Sequence, residues 1–462
     1  MGQWDRPVSR GRRGMTGVVE RLGDFAAGIE LDQVPTAVVA RAQDCLVHAL
    51  VVGAAGAGVG FGETAEAALG GADGGGEAHL LASGRTAAAP LAAFANSALL
   101  HARAQEDTHG TFHPGVATIP AALAAAEAER VDGPTFLAAV LAGYEAGTAI
   151  SDPLTERTTP PFRATGLFGP LAAAAAAGRV LGLGASPLAS ALGLASAFAG
   201  GGSEPFAAGT DEWHYQTGVA AMNGLLAARL AKAGARGSTS AIEGQAGFLD
   251  CFVRGRAPQP DELAAELGSR WKILDVTFKP YPVCAFNQTP ALVAAQLATT
   301  HGVKPADVAS LVVRMNEREA VYPGVGTGGP FREVAQTLMS VRFGIAVALA
   351  EGQITYAALT RFDDPTLLDL VERIVIVPEA GRPPKTAAAT LTLVDGRQIR
   401  TAIEDSSEEL SWDSAEVRDN ARRLRPETGF TEEGLEALFA AVEALPEANS
   451  LDGLLGAALS RH

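Results

Sequence analysis

The sequence predicts a mainly helical protein, with an all-helical domain built from both ends of the chain and an α+β lid domain inserted between its two parts. Three observations predict this fold class. Apolar residues recur at helical spacing from about residue 15 to 268. Short β-branched runs replace that pattern at 269–404, and an acidic helical pattern returns at 405–462. The first residues, 1–14, combine several arginines with no apolar stretch, so we expect a disordered leader.

The first part of the helical domain consists of successive apolar stripes. In 32–52, Val38, Ala42, Cys45 and Ala49 fall on one helix face. The same spacing predicts helices at 87–102, 116–128, 135–150, 169–181, 186–198 and 217–233. Aromatic residues make up only 6% of the chain, so alanine, leucine and valine must fill most of the core. Small side chains let helices approach closely, which favours stacked helices.

The α+β segment is predicted from short strands and two helices. Leu311–Val313 and Ile374–Val377 are β-branched runs, and 389–393 leads through Asp395-Gly396 into 398–403. Asp-Gly between two alternating runs indicates a β-hairpin. Helices are expected at 289–301 and 334–351, and after residue 404 at 432–445 and 451–459. Because small-molecule sites are often found where domains meet, we expect the site between these two domains.

Composition excludes several classes of function. The chain has 36 basic and 52 acidic residues in 462, and the net charge of -16 argues against nucleic-acid binding. Cys45, Cys251 and Cys284 lack metal spacing and are odd in number, which indicates a reducing compartment, the cytoplasm. The uncharged stretch 181–203 is interrupted by glycine and proline, so we expect two short buried helices and no membrane span. No glycine-rich turn has phosphate-binding spacing, so no nucleotide cofactor is expected.

The densest cluster of reactive side chains is 101–114. It holds His101, His109 and His113 together with two acids and two threonines, and it lies between two predicted helices. A polar loop at a helix N-terminus is suited to bind an anion. A single histidine would usually be structural, but this density favours a site. Its spacing matches no known metal motif, so we expect no metal.

Other candidates are isolated in sequence. Lys279 lies in the stiff segment Phe278–Cys284 at the expected domain junction, where proline restricts the backbone. Single candidates in loops are Arg163, the pair Trp213-His214, and Tyr322. Taken alone, Lys279 is better explained as a surface lysine in a rigid linker, and each of the other three candidates is as compatible with an ordinary structural role as with a site.

Together these motifs resemble a known family. The chain is similar to the MmgE/PrpD family, which includes 2-methylcitrate dehydratase, cis-aconitate decarboxylase and iminodisuccinate epimerase. The resemblance runs from about residue 18 to 450. It rests on His101, Asp107-Thr108, His113-Pro114, Gly143-Tyr144-Glu145, Thr165-Gly166 with Gly169, Glu243-Gly244 with Gly247-Phe248, Lys279–Cys284 and the segment 340–352. It implies an all-helical domain with an inserted α+β lid, a homodimer, and a reaction that needs no metal.

The resemblance places the family's catalytic positions on His113, Thr108 and Lys279, and a pocket tyrosine near Tyr322. Several family positions differ in this chain. At the position of the first acid in the family's Asp-x-Asp-Asp-Thr run, this chain has Ala104. It has Arg163 in place of a loop histidine of the family and Trp213 in place of a lysine. It also has Gln288 in place of the family histidine that lies four residues after Cys284. These departures remove acid–base and carboxylate-binding groups. They argue against a plain 2-methylcitrate dehydratase or cis-aconitate decarboxylase.

From these residues we predict a lyase of the dehydratase type that acts on a small anionic metabolite. His113 is expected to be the central acid–base group, with Asp107 orienting a histidine and Tyr322 donating a proton. Lys279 and Arg163 are expected to hold the anion, and His101, Thr108, Trp213, His214 and Cys284 to line the substrate site. His113 and Lys279 should lie on opposite sides of one cleft. The alternatives are an epimerase or other isomerase, a decarboxylase, and an inactive ligand-binding member of the family.

Overall fold

The computed structural model describes residues 17–70, 75–154, 157 and 161–461. The predicted leader, 1–14, lies outside this range. Within it the chain is mostly helical with small sheets, so the mainly helical class is confirmed. The division into a helical domain and a lid stays a prediction.

The first part of the chain is a stack of closely packed helices. They are α1 (Val18–Ala27), α2 (Thr36–Gly56), α3 (Phe61–Ala68), α4 (Ala89–Leu100), α5 (Gly115–Glu129), α6 (Gly133–Ser151), α7 (Ala164–Val180), α8 (Ala185–Ser196), α9 (Glu204–Ala208), α10 (Glu212–Lys232), α11 (Phe248–Phe252) and α12 (Pro260–Leu263). Strands β1 (Ala78–His79) and β2 (Thr86–Ala87) pair antiparallel. A Cβ at Gly143 of α6 would lie 2.4 Å from Thr118 and 2.8 Å from the Ala172 carbonyl. Small residues therefore set the helix spacing, as expected.

The next part contains a four-stranded mixed sheet in the order β4-β3-β5-β6. Its elements are α13 (Gln288–His301), β3 (Val308–Asn316), α14 (Glu317–Ala320), α15 (Val334–Met339), α16 (Val341–Glu351), α17 (Tyr356–Leu359), α18 (Pro365–Arg373), β4 (Ile374–Glu379), β5 (Ala387–Leu393) and β6 (Gln398–Ile403). Strand β3 runs parallel to β4 and antiparallel to β5, which forms the predicted hairpin with β6. The predicted helix 334–351 is two helices, because Ser340 ends α15 and caps α16 by accepting from the Phe343 amide.

The chain ends in α19 (Ser407–Leu410), α20 (Ser414–Thr428), α21 (Glu432–Glu443) and α22 (Asp452–Leu459). Helix α20 starts in a capping box between Asp413 and Glu416 and packs against α2. One buried core combines side chains from 18–278 with others from 412–458. A second core draws on 281–403 and also includes Ala104, Phe206 and Trp213. These three residues mark the place where the two cores meet.

One helix has the length and composition of a membrane span. Helix α2 passes that test, and 67% of its most apolar window is buried inside the protein. A buried core helix passes the same test, so this is weak evidence for a membrane. In the predicted stretch 181–203, helix α8 and a glycine-rich loop take the place of the two helices we expected.

Candidate active site

A cavity lies where the two cores meet. Its wall includes the turn 101–113 between α4 and α5, and Arg163 and Ala164 at the start of α7. Phe206 and Trp213, the segment 279–286, Tyr322 and the end of α15 complete it. The candidate residues His101, His113, Arg163, Trp213, Lys279, Cys284 and Tyr322 all line this cavity. Segments far apart in sequence therefore contribute to one site.

Glu106 is the centre of the polar side of the cavity. Its Oε1 lies 2.8 Å from His113 Nδ1 and 2.7 Å from Lys279 Nζ, and its Oε2 lies 2.9 Å from His101 Nδ1. The side chain is only 1% exposed. Lys279 Nζ also donates to the Ala104 carbonyl at 2.5 Å. Ala104 has a φ of 51°, which is uncommon for a residue that carries a Cβ.

These contacts indicate which nitrogen of each histidine carries the proton. Arg163 Nη2 lies 2.6 Å from His101 Nε2, and a guanidinium can only donate. His101 Nε2 therefore accepts, and the ring proton is on Nδ1, towards Glu106. At His113, Nδ1 lies 2.8 Å from the same carboxylate, although its N–H does not point at the oxygen with hydrogen-bond geometry. The negative charge of Glu106 favours the proton on Nδ1, and in that tautomer Nε2 has a free lone pair.

Burial and charge set the protonation of this cluster. Burial lowers the pKa of His101 to about 4 and that of His113 to about 3, and the positive charge of Lys279 adds to the effect at both rings. Burial acts to raise the pKa of Glu106, but His101, Lys279 and His113 outweigh it and hold that pKa well below its usual range. Near neutral pH Glu106 is thus a carboxylate, and the imidazoles of His101 and His113 are neutral.

Arg163 is the second cation at the cavity. It is 3% exposed and donates through Nη1 to the carbonyl of Trp213. Its guanidinium carbon lies 5.5 Å from the Phe206 ring and 6.0 Å from the Trp213 ring, within cation–π range. Burial lowers the pKa of Arg163 to about 10, so it stays charged at neutral pH.

Asp107 does not orient a histidine, and our expectation for it was wrong. Its Oδ2 accepts from the Tyr144 hydroxyl at 2.5 Å, and its Oδ1 accepts from the Gly115 amide at 3.1 Å. It therefore holds the start of α5, and Glu106 makes the contacts to both histidines. Burial raises the pKa of Asp107 to about 6.

Two further candidates lie outside the cavity wall. Thr108 Oγ1 is 2.8 Å from Thr277 Oγ1 and accepts from Lys385 Nζ at 3.1 Å. His214 stacks on Phe61 with ring centroids 3.5 Å apart and lies behind His101, at 5.8 Å. The pair His113 and Lys279 does share the cavity, but both reach one oxygen of Glu106. They are neighbours and do not lie on opposite sides of the cleft.

The other wall residues are weakly acidic or apolar. Burial raises the pKa of Tyr322 to about 12 and that of Cys284 to about 11, so both stay protonated near neutral pH. The Nε1 of Trp213 is buried without a hydrogen-bond partner among the described residues. Within the same part of the chain, no group of three or more His, Cys, Asp or Glu is arranged to hold a metal ion. A metal-free reaction stays a prediction.

Sequence reasoning missed Glu106 and Lys385. Glu106 was passed over because Asp107, its neighbour, matched the family pattern. Lys385 is fixed by its backbone: Glu319 accepts from its amide at 2.9 Å, and Thr289 donates to its carbonyl at 2.7 Å. Its side chain reaches from the sheet to Thr108 and Thr277. No local sequence signal marks such a contact.

Comparisons with known proteins match most of the chain. Sequence models of the MmgE/PrpD N-terminal domain and the MmgE/PrpD C-terminal domain match residues 20–261 and 281–414. A cis-aconitate decarboxylase of Aspergillus terreus is 26% identical over 78% of each chain. A cis-aconitate decarboxylase-like protein of Aspergillus oryzae is 28% identical over 57% of this chain and 58% of its own. The human cis-aconitate decarboxylase is 31% identical over 41% of this chain and 40% of its own.

Proposed function

The chain belongs to the MmgE/PrpD family, and from that premise we propose that it is a metal-independent lyase of the dehydratase type. Its substrate is a small metabolite that carries a carboxylate, and its reaction begins with loss of a proton next to a carboxylate or carbonyl. The relatives named above are lyases. The departures at Ala104, Arg163, Trp213 and Gln288 argue for a substrate other than 2-methylcitrate.

The observation that carries this proposal is the contact of Glu106 with His113. Because the charge of this carboxylate, 2.8 Å from Nδ1, favours the proton on Nδ1, Nε2 of His113 is free to take a proton from a ligand in the cavity. Glu106 then stabilises the imidazolium that forms. An anionic substrate adds negative charge beside the ring, which raises the pKa of His113 towards the range useful for catalysis.

The remaining groups have complementary roles in this proposal. Proton loss from carbon leaves an electron pair that becomes the new C=C bond as the C–O bond to a β-hydroxyl breaks. Tyr322, protonated in the cavity wall, gives its proton to the departing hydroxyl, which leaves as water. His113 restores that proton through solvent. Arg163 and Lys279 offset the negative charge that develops on the substrate.

A decarboxylase is the second candidate, because the relatives named above carry that name. It would break a C–C bond, release carbon dioxide and protonate the carbon that remains. The neutral state of His113 favours the dehydratase, since proton abstraction needs a base and decarboxylation needs an acid. An isomerase would share the first step and return the proton to the other face.

Proton NMR of one reaction set tests these outcomes. The protein is incubated in deuterium oxide with 3-hydroxy acids and with unsaturated acids. A new alkene signal from a 3-hydroxy acid supports the dehydratase. Deuterium uptake without elimination means an isomerase, and the proton signals of a product that has lost one carboxylate mean a decarboxylase. No change across the set means an inactive binder and contradicts the proposal. His113→Ala should abolish the signal, and His79→Ala, at a histidine paired with Glu127 away from the cavity, should not.

We further propose a cytoplasmic homodimer. The cysteines of the described residues are free, as a reducing compartment would allow. Helices α4 and α10 pack together and expose Leu91, Val219 and Leu226, each 37–41% accessible. A second copy of the chain could cover this apolar face, since two-fold dimers are the commonest assemblies.

A further inference from the structure

The charges at the cavity limit how many carboxylates a substrate can carry. Lys279 and Arg163 are the cations of the wall, and Glu106 is its carboxylate. The lysine is already paired with that carboxylate, and a second of its three donors is used by the Ala104 carbonyl. The histidines, Cys284 and Tyr322 are neutral near pH 7. The site therefore has one unit of positive charge to offer a ligand.

That charge belongs to Arg163. Of the two cations among the described wall residues, Lys279 has a carboxylate within ion-pair distance and Arg163 does not. It is held in place from two sides, by His101 Nε2 at 2.6 Å and by the carbonyl of Trp213. A fixed guanidinium loses little freedom when it binds a carboxylate, and its planar donors fit one.

The other side of the cavity is apolar. Phe206, Trp213, Phe286, Leu338 and Met339 form this wall. A second or third carboxylate placed here would lose its hydration without gaining a cation, which is strongly unfavourable. An alkyl or aromatic group would instead gain from burial.

Besides the Tyr322 hydroxyl, two neutral donors are available to a hydroxyl or carbonyl group. Trp213 Nε1 and Thr111 Oγ1 belong to wall residues, and both are buried without a partner among the described residues. A buried donor without an acceptor is unfavourable, so a ligand oxygen that accepts from either one is favoured.

We propose that this site takes a monocarboxylate with an apolar body: one carboxylate on Arg163, one hydroxyl or carbonyl near Trp213 and Thr111, and an alkyl or aromatic group against Phe206, Phe286 and Met339. This inference rests on the proposed function for the position of the reacting carbon. The binding preference itself does not depend on turnover.

Isothermal titration calorimetry at pH 7 tests the preference with three probes: 3-hydroxy-3-phenylpropanoate, citrate and cis-aconitate. We expect the monocarboxylate to bind at least tenfold more tightly than either tricarboxylate. Equal or tighter binding of citrate or cis-aconitate overturns the inference, as does no measurable binding of the monocarboxylate at millimolar concentration. Tight binding without turnover would contradict the proposed function alone, and turnover of a tricarboxylate would contradict the substrate class alone.

A matched pair of variants separates charge from shape. Trp213→Lys adds a cation to the apolar wall, and Trp213→Met removes the same ring with nearly the same side-chain length and no charge. Trp213→Lys should bind citrate at least tenfold more tightly than Trp213→Met does. Equal affinity of the two folded variants for citrate overturns the inference. If either variant fails to fold by circular dichroism, Arg163→Met and Arg163→Lys replace them. We then expect Arg163→Met to lose monocarboxylate binding and Arg163→Lys to keep part of it. Unchanged binding in both variants overturns the inference.

Discussion

Replacing Glu106 by glutamine removes the charge that three side chains share while it keeps the size of the side chain. The carboxylate has two acceptor oxygens, and the amide has one. The NH2 group of the glutamine must therefore replace either the oxygen near Lys279 and His113 or the oxygen near Nδ1 of His101, and in each place it meets another donor. Lys279 would then be a buried cation without its ion-pair partner. Breaking a buried pair in this way costs about 3–5 kcal/mol of folding free energy.

The same change should slow the reaction. Glu106 raises the pKa of His113, which burial and Lys279 lower to about 3. Without Glu106 this pKa falls further, the Nδ1 tautomer is no longer fixed, and the imidazolium is no longer stabilised. We expect kcat to fall by about 10²–10⁴-fold, the range for loss of acid–base catalysis.

Steady-state kinetics and urea unfolding of Glu106→Gln measure both effects. Glu127→Gln is the matched control. The side chain of Glu127 is also buried, and its Oε2 lies 2.5 Å from Nδ1 of a histidine, His79. This pair is not part of the cavity wall. The control should keep its kcat. A Glu106→Gln enzyme with kcat within threefold of the unchanged protein would refute the role of Glu106.

Three further predictions concern the surroundings of the site. The pKa of Asp107 is raised to about 6, so its protonation favours the folded state and its contribution to stability is lost as the pH rises from about 4 to about 6. Urea unfolding gives the free energy of unfolding of the unchanged protein and of Asp107→Asn at each pH. The difference between these two free energies should change by roughly 3 kcal/mol across that window, and a constant difference would contradict this. Lys385→Met should lower the free energy of unfolding by about 2 kcal/mol, because two hydrogen bonds to Thr108 and Thr277 are lost. Lys304→Met, on the surface, should change it by less than about 0.5 kcal/mol. Equal effects of the two substitutions would argue against the contact of Lys385 with the two threonines. Light scattering at micromolar concentration should give the mass of a dimer, and Val219→Glu combined with Leu226→Glu should give a monomer; a monomeric unchanged protein would rule the dimer out.

Much of the fold could be predicted because its signals are local. The helical stripe at 116–128 became α5 at Gly115–Glu129, and Asp395-Gly396 joins β5 to β6 as expected. Periodicity reports burial on one face of a regular element, so it finds long helices reliably. It failed at Ser340, where one hydroxyl that accepts the Phe343 amide starts a new helix inside an unbroken apolar pattern.

The site was harder to predict because its contacts are not local. Glu106 and Asp107 are adjacent in an irregular turn, where no periodicity tells which side chain faces the cavity. The structure turns Glu106 towards Lys279, 173 positions away, and Asp107 towards Tyr144. Family resemblance could identify the segment, but only the packing of distant elements decides the role of each carboxylate.

The most direct test of the central claim is deuterium exchange at the carbon next to the carboxylate, followed by NMR with the best-bound monocarboxylate. If His113 moves this proton, the unchanged protein will exchange it and His113→Ala will exchange it about 10²–10⁴-fold more slowly while keeping its circular dichroism spectrum. Lys279→Ala should raise KM and lower kcat together, because it leaves the negative charge of Glu106 without its partner beside both the bound substrate and the transition state. Exchange by His113→Ala at the rate of the unchanged protein would contradict the account.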